Sequence, residues 1–417
     1  MEVKSKIPPR LNICMLLPDP YSPNMPARPG VTEIYGKCLP EMGHKVTWIT
    51  PAKESLKEIQ ERTFGNVHIY VIPCYAGSSL VRKILAKPLF LWREVKIASK
   101  VIQEENCNIV QVRDEVVEGM LAIYLKRKHK IPFVFQYSFP TVEGGLEKYR
   151  LNSTRMAYLL ARVRHFVRPF VMRHADLILP ISKWMEEDLA KNGVAREKMF
   201  PVPMAVNADL FSPTIGGEQT RLKYNLTGSK AVIYQGVMDK LRHLDVLFYA
   251  FALVKRERAN VRLLMVGDGD DKANLEKLAR NLGLERDVIF TGQVPYLEVP
   301  QFIAVADIAM SPIPPLAIYK VSSPCKLFEY MGVAKPVVAN EEIPEHREVL
   351  EQSGGGILVP FAPEAFAHAI IELLDNPQKA VEMGQRGREW VVKNRTYEIL
   401  ARQVEEKYFE LLELLKS

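Results

Sequence analysis

The chain has 417 residues, 47% of them hydrophobic and 25% charged, with a net charge of +7. That length is too great for one core and suits two α/β domains. The mild positive charge admits an anionic ligand or a membrane surface, and without an aromatic–basic RNA motif it argues against nucleic acid. Cys14, Cys38, Cys74, Cys107 and Cys325 lack pairing or metal-ligand spacing, as expected of free thiols in a reducing compartment.

The first apolar run, Leu11–Leu17, is too short for a signal sequence or a membrane span and reads as a strand. A cytoplasmic protein is expected, with peripheral contact at the inner face of the membrane as an open option. Further strands are predicted at Val46–Thr50, Val67–Ile72, Ile109–Val112, Phe133–Tyr137 and Leu177–Pro180. The second half repeats the pattern at Ala231–Tyr234, Arg262–Val266, Val288–Thr291, Ile308–Pro312, Pro336–Ala339 and Gly356–Val359. Amphipathic helical stretches alternate with these runs, which is the pattern of parallel sheets with crossover helices. The expected fold is α/β, with two doubly wound Rossmann-like domains facing across a cleft. Polar Asn207–Ser229 reads as a linker, which puts the domains at 1–208 and 209–395. The last helix, within 396–417, is expected to pack back on the first domain.

Ligands of doubly wound sheets bind at the carboxyl ends of the strands. Arg113 and Asp114 end one such strand and Ser138 follows the next, so these three are candidates for holding an acceptor or for pairing internally. From Lys148 to Arg173 there is no acid, and seven cations are interleaved with apolar residues. Such a helix lies on an anionic membrane, or else it is a domain helix with its apolar face in the core and its cations solvated. The cationic run Arg82–Lys96 favours membrane contact.

The segment Ser322–Gly332 reads as a phosphate-binding helix start. Ser323 is expected to cap it and Pro324 to take the first helical position. The amides of Cys325 and Lys326 then face an anion, and Lys326 adds a full charge. Glu329, four residues after Cys325, would repel phosphate and suits a pair of ribose hydroxyls.

Tyr234-Gln235-Gly236, Leu263–Gly269, Phe290–Val294 and Ala306-Asp307, with Asp176–Ser182 and Pro203–Asn207 before them, resemble retaining glycosyltransferases of family 4, which have the GT-B fold. The resemblance implies transfer of a sugar from a nucleoside diphosphate sugar to a glycan or lipid-linked acceptor. No metal or other cofactor is implied, and Asp268–Asp271 reads as a turn and helix start. Arg242 and Lys326 would stabilise the leaving diphosphate. Glu329, Cys325, Ser323 and Gly236 would hold the donor, with Gln293 and Val294 at the base, Glu345 near the sugar and Gly30 in a glycine loop near the diphosphate. Two positions depart from the family pattern. Val237 stands where an arginine is usual, and Val321, eight residues before Glu329, stands where the first acid is usual. His243 stands where the family has glycine. The alternatives are a nucleotide-sugar epimerase of the same architecture and a catalytically silent sugar-nucleotide-binding subunit. A hydride-transferring enzyme is disfavoured, because no Gly-x-Gly-x-x-Gly follows the first strand.

Overall fold

The computed structural model of the protein describes residues 10–23, 28–53, 56–74, 80–140, 143–144 and 155–415, without the side chains of 80–84, 155–157 and 160. The chain forms two compact units. One runs to Pro203 and resumes at Tyr397; the other is Met204–Thr396.

The first unit opens with β1 (Asn12–Leu16), then α1 (Pro29–Glu33), which runs through a π turn (Ile34–Cys38) into α2 (Leu39–Glu41). There follow β2 (Lys45–Pro51), β3 (Gln60–Phe64), β4 (Val67–Ile72), α3 (Leu80–Glu104), β5 (Ile109–Arg113) and α4 (Val116–His129). The unit continues with β6 (Phe133–Tyr137), α5 (Arg155–His174), β7 (Leu177–Pro180) and α6 (Lys183–Lys191). The sheet order is β3-β4-β2-β1-β5-β6-β7. Its strands are short and apolar because helices cover both faces of a parallel sheet; every residue of Phe133–Tyr137 is buried. The exception is β3, which pairs antiparallel to β4 at the edge. Its exposed Glu61, Arg62 and Thr63 carry no apolar signal, so the sequence reading missed it.

The acid-free helix α5 departs from the reading that puts its apolar face in the core and leaves its cations solvated. In α5 the cations Arg164 and Arg168 point inward. Arg164 pairs with Glu115 at 3.0 Å, and Arg168 donates to the Tyr137 hydroxyl at 2.7 Å and to Glu143 at 2.9 Å. The apolar stripe Leu159, Val163, Phe166 and Phe170 is exposed, Phe166 to 69%. Spacing along a helix defines the stripe but not which way it faces. The part of the basic stretch before Arg155 lies outside the described residues.

The second unit opens with α7 (Glu218–Lys223), β8 (Lys230–Gln235), α8 (Asp245–Glu257), β9 (Val261–Val266), α9 (Lys272–Asn281) and β10 (Val288–Gly292). It goes on through α10 (Val299–Ala304), β11 (Ile308–Ser311), α11 (Ala317–Lys320), α12 (Cys325–Gly332), β12 (Val337–Asn340), α13 (Pro344–Ser353) and β13 (Gly356–Val359). It closes with α14 (Pro363–Asp375) and α15 (Pro377–Asn394). The sheet order is β10-β9-β8-β11-β12-β13, all parallel. Two apolar clusters sandwich it, one around Phe248, Phe251 and Phe366, the other around Phe211, Phe328 and Tyr330.

The unit boundary falls at Pro203 rather than 208, because Met204 donates its amide to Ser323 Oγ at 2.9 Å and Val206 bridges to Thr396. The last helix, α16 (Tyr397–Leu414), returns to the first unit. There the buried Tyr408 hydroxyl donates to Gln111 at 2.6 Å and lies 3.2 Å from that of Tyr35.

Candidate functional site

In the second sheet the chain leaves β8 toward β9 on one side and returns to β11 on the other. A crevice at such a switch point is where doubly wound sheets bind ligands. Gly236 ends β8 there at φ +142°, and Gly267 ends β9 at φ +137°. A Cβ on Gly267 would stand on the Gly236 carbonyl, and one on Gly269 on the Met238 carbonyl. The two loops therefore touch backbone to backbone, an approach that only glycine permits.

Two cations converge on this crevice. The Lys326 ammonium lies 4.6 Å over the Tyr234 ring, and the Arg242 guanidinium 4.6 Å over that of Tyr319. Arg242 Nε and Asp239 Oδ1 are buried without a hydrogen-bond partner, facing each other at 4.0 Å. Burial, and then the neighbouring Arg242, pull the Lys326 amine down to about 7. Two desolvated positive groups side by side are costly without an anion, and a group so shifted marks a functional crevice. His243, next to Arg242, sits at φ +45°, the left-handed conformation that suits glycine at this position.

Glu329 stands one turn into α12, 1% exposed. Oε1 accepts from the Tyr296 hydroxyl at 3.0 Å, and Oε2 from the Gln235 side-chain amide. Burial raises its carboxyl; the bonds from Gln235 and Tyr296 and the charge of Lys326 oppose that rise. From the sequence, Gln235 figured only within the Tyr234-Gln235-Gly236 motif, with no role of its own, and Tyr296 was not singled out. Tyr296 follows the loop holding exposed Gln293 and half-buried Val294, so its bond to Glu329 ties that loop to α12.

The helix start departs from expectation. Pro324 (φ −81°, ψ 108°) occupies the capping position and Cys325 is the first helical residue. The Ser323 hydroxyl does not cap the helix; it accepts from the Met204 amide. The Cys325 thiol is pushed up to about 12, chiefly by burial. Val237 is half-exposed beside the glycine loop. Asp268 and Asp271 hold their own turn, accepting from Gly269 at 2.8 Å and Asn274 at 2.7 Å.

Glu345 is 1% exposed in the first turn of α13 and accepts from Arg395 at 3.1 Å. Burial lifts its carboxyl to about 7, against Arg395 and the Ser323 hydroxyl. Beside it, the fully buried His346 was not anticipated. Its Nδ1 faces the Asn340 carbonyl at 3.0 Å, so that nitrogen carries the proton and Nε2 accepts from Ser311 at 3.0 Å. Burial lowers His346 to about 4 and keeps it neutral.

In the first unit, Arg113, Asp114 and Ser138 pair with one another. Arg113 donates to Ser138 Oγ at 3.2 Å and to Asp19, and lies 3.3 Å from Asp114. Asp114, at φ +57°, accepts from the amides of Ser138 at 2.5 Å and Phe139 at 3.2 Å. Their internal pairing is satisfied, and it fixes the carboxyl ends of β5 and β6. Gly30, read as part of a glycine loop, is the second residue of α1.

Residues 218–390 match the family model of glycosyl transferases group 1, and residues 32–210 that of glycosyltransferase family 4. The chain is similar to the GDP-mannose-dependent alpha-(1-6)-phosphatidylinositol monomannoside mannosyltransferase of Mycolicibacterium smegmatis, 26% identical over 53% of this chain and 58% of that protein's length. It is 27% identical to the N-acetyl-alpha-D-glucosaminyl L-malate synthase of Bacillus anthracis, over 90% of this chain and 92% of the relative. Among solved structures, sucrose-phosphate synthase from Thermosynechococcus elongatus superposes with a TM-score of 0.74 at 19% identity, covering 97% of this chain and 100% of that one.

Proposed function

The chain belongs to the family 4 glycosyltransferases, and on that premise we propose that it moves a sugar, with retention at the anomeric carbon, from a nucleoside diphosphate sugar to a lipid-linked or glycan acceptor. The observation that carries the reading is the buried Lys326 with the half-buried Arg242 beside Glu329 at the switch point of the second sheet. A diphosphate would accept directly from both cations, which Asp239 at 4.0 Å from Arg242 does not, and ribose hydroxyls would supply donors to the remaining lone pairs of Glu329. The GDP-mannose dependence of the mycobacterial relative accords with such a donor.

In the transfer, the bond from the anomeric carbon to the diphosphate oxygen breaks and a bond to the acceptor oxygen forms. The acceptor's proton passes to the departing diphosphate, so no protein base is consumed. Lys326 and Arg242 stabilise the charge growing on that leaving group, and loss of one such donor costs on the order of 10²-fold in rate. Lys326 is already desolvated in the free protein, so little reorganisation accompanies binding.

A membrane-associated acceptor is favoured by the surface of the first unit. Helix α4 packs against both α3 and α5. Leu85, Leu89 and Trp92 on α3, Met120 and Tyr124 on α4, and the outward stripe of α5 are exposed together. Cations sit among them, with Lys96 over Trp92 at 5.2 Å and Arg162 over Phe166 at 5.5 Å. Apolar side chains interspersed with lysine and arginine fit an anionic lipid surface. No helix among the described residues is long and apolar enough to cross a membrane.

The half-exposed Val237, where a cation is usual, favours a second reading as a binding subunit without turnover. A panel of nucleotide sugars separates the readings. Thermal protection plus acceptor-dependent release of nucleoside diphosphate supports transfer, whereas protection without turnover supports the silent subunit. An isomerised donor with no release would mean epimerisation.

A further inference from the structure

A cavity of about 470 Å³ opens in the second unit, within the ~300–1,000 Å³ usual for small-molecule sites. Among its lining residues, Lys230 begins β8, Ile308 begins β11 and Pro336 precedes β12. It therefore lies at the amino ends of these strands, across the sheet from the crevice at Gly236. Lys335 and Arg388 also line it, and both bear on α12. Lys335 ends the turn that follows this helix. Arg388 of α15 donates to the carbonyl of its last residue, Gly332, at 2.7 Å.

Both cations are half-buried, and their partners are carbonyls. Lys335 Nζ donates at 2.8 Å to Ala304, the last residue of α10. Arg388 donates to Ala208 and Phe211 as well as to Gly332. Such contacts bring only the partial charge of a peptide dipole to each full charge. Among the described residues neither cation has an ion pair, because the nearby Asp307 is engaged elsewhere. Its Oδ1 accepts from Lys230 and its Oδ2 from the Ala231 amide, both at 2.9 Å. Burial pulls the Lys335 amine down, with Asp307 opposing and Arg221 adding to the fall. Burial also lowers Arg388, against the more distant Asp209. Two N–H groups of Lys335 and the Nε–H of Arg388 remain unused, and neither Lys335 Nζ nor Arg388 Nε is sealed from solvent.

The rest of the lining narrows the ligand. Pro213, Leu374, Pro377 and Val381 offer an apolar wall, with Val381 53% exposed. Asp307 and Glu389 also line the cavity, so a doubly charged anion meets more repulsion there than a single charge does. We propose that this cavity binds a small monocarboxylic acid with an apolar body, its carboxylate drawn to Lys335 and Arg388 and its body against the proline, leucine and valine wall. The site is separate from the donor crevice and does not depend on the transferase reading.

The test is titration calorimetry of the full chain with 4-phenylbutyrate, its neutral amide, and phenethyl phosphate, an aromatic dianion. The carboxylate is expected to bind roughly tenfold tighter than the amide, as for one charge-assisted hydrogen bond, and tighter than the phosphate. Lys335→Met should bring the carboxylate down to the level of the amide. Val381→Trp, which narrows the cavity from an exposed position and leaves every charge in place, should weaken all three probes. It keeps the proposal open to refutation should the first variant fold poorly. Lys326→Met should leave the affinity for 4-phenylbutyrate unchanged. No binding by the carboxylate, equal binding of the amide, a preference for the phosphate, or wild-type affinity in both cavity variants overturns the assignment. Loss of binding in Lys326→Met would overturn it as well, by putting the acid in the donor crevice. Thermal protection by nucleoside diphosphates, followed in parallel, bears on the transferase reading alone.

Discussion

Lys326 of α12 rests its ammonium on the ring of Tyr234 in β8, 4.6 Å from the centroid, and Gly236 lies two residues beyond that ring. A Cβ on Gly236 would come within 3.2 Å of the ammonium, so the glycine keeps the lysine's place open as well as adopting φ +142°. Gly236→Ala is therefore expected to weaken nucleoside diphosphate binding by about tenfold or more through a displaced charge-assisted contact. Isothermal titration at neutral pH checks this; unchanged affinity would mean that Lys326 does not touch the ligand.

The lowered Lys326 gives donor binding a pH signature. In the free protein the amine loses its proton near 7, and a bound diphosphate draws the proton back. Binding above pH 7 thus takes up a proton, and the dissociation constant should rise with pH, approaching tenfold per unit. Lys326→Met should flatten that slope. The sign for stability is opposite: between about 7 and the ordinary lysine value the unfolded chain holds a proton that the folded chain has lost. The unliganded wild type should thus gain stability over the variant as pH climbs through that window.

Glu329 is expected to read the ribose. Glu329→Gln should cost roughly tenfold in nucleoside diphosphate affinity, with no further loss for a 2′,3′-dideoxy analogue. The wild type should lose affinity for that analogue, and this cycle separates a ribose contact from general damage. Tyr296→Phe removes a donor to Glu329 and should cost about 1 kcal/mol in stability.

His243 carries a backbone conformation that a side chain resists. His243→Gly should raise the melting temperature by a few degrees, from roughly 1 kcal/mol of relieved strain. A fall instead would show that the imidazole makes a contact worth more than the strain.

The outward stripe of α5 can be removed without touching the core. Val163→Ser with Phe166→Ser should reduce sedimentation with anionic vesicles severalfold, since each residue loses apolar contact with lipid. The melting temperature should barely move, because exposed substitutions usually stay within about 0.5 kcal/mol. Binding unchanged by the pair of substitutions and insensitive to salt would remove the membrane from the account.

Much of the architecture was legible. Apolar runs such as Phe133–Tyr137 are strands in the positions expected, since a strand buried on both faces has little choice of residues. The polar edge strand β3 left no such trace. At the candidate site, chemistry was easier to read than geometry. The sequence suggested Lys326, Arg242 and Glu329, which the fold gathers at one switch point. Tyr296 and Gln235, which hold Glu329, are ordinary polar residues 33 and 94 positions away from it, and only tertiary pairing reveals them. Ser323 has the composition of a cap, but its hydroxyl serves the Met204 amide, a partner 119 residues away that no local rule weighs. For α5, periodicity was visible and direction was not, because Glu115 and Glu143 decide which face turns inward.

The return of α16 to the first unit has a consequence for synthesis. A ribosome releases β1 to β7 long before it makes Tyr408, whose hydroxyl completes the buried contacts of Gln111 and Tyr35. The second unit, contiguous from Met204 to Thr396, has all its parts while the first still waits for one. Although domains usually mature from the amino end, here the earlier-made unit is the later one to close. A stop codon that removes α16 would leave its damage 373 residues upstream at Tyr35 and 297 upstream at Gln111.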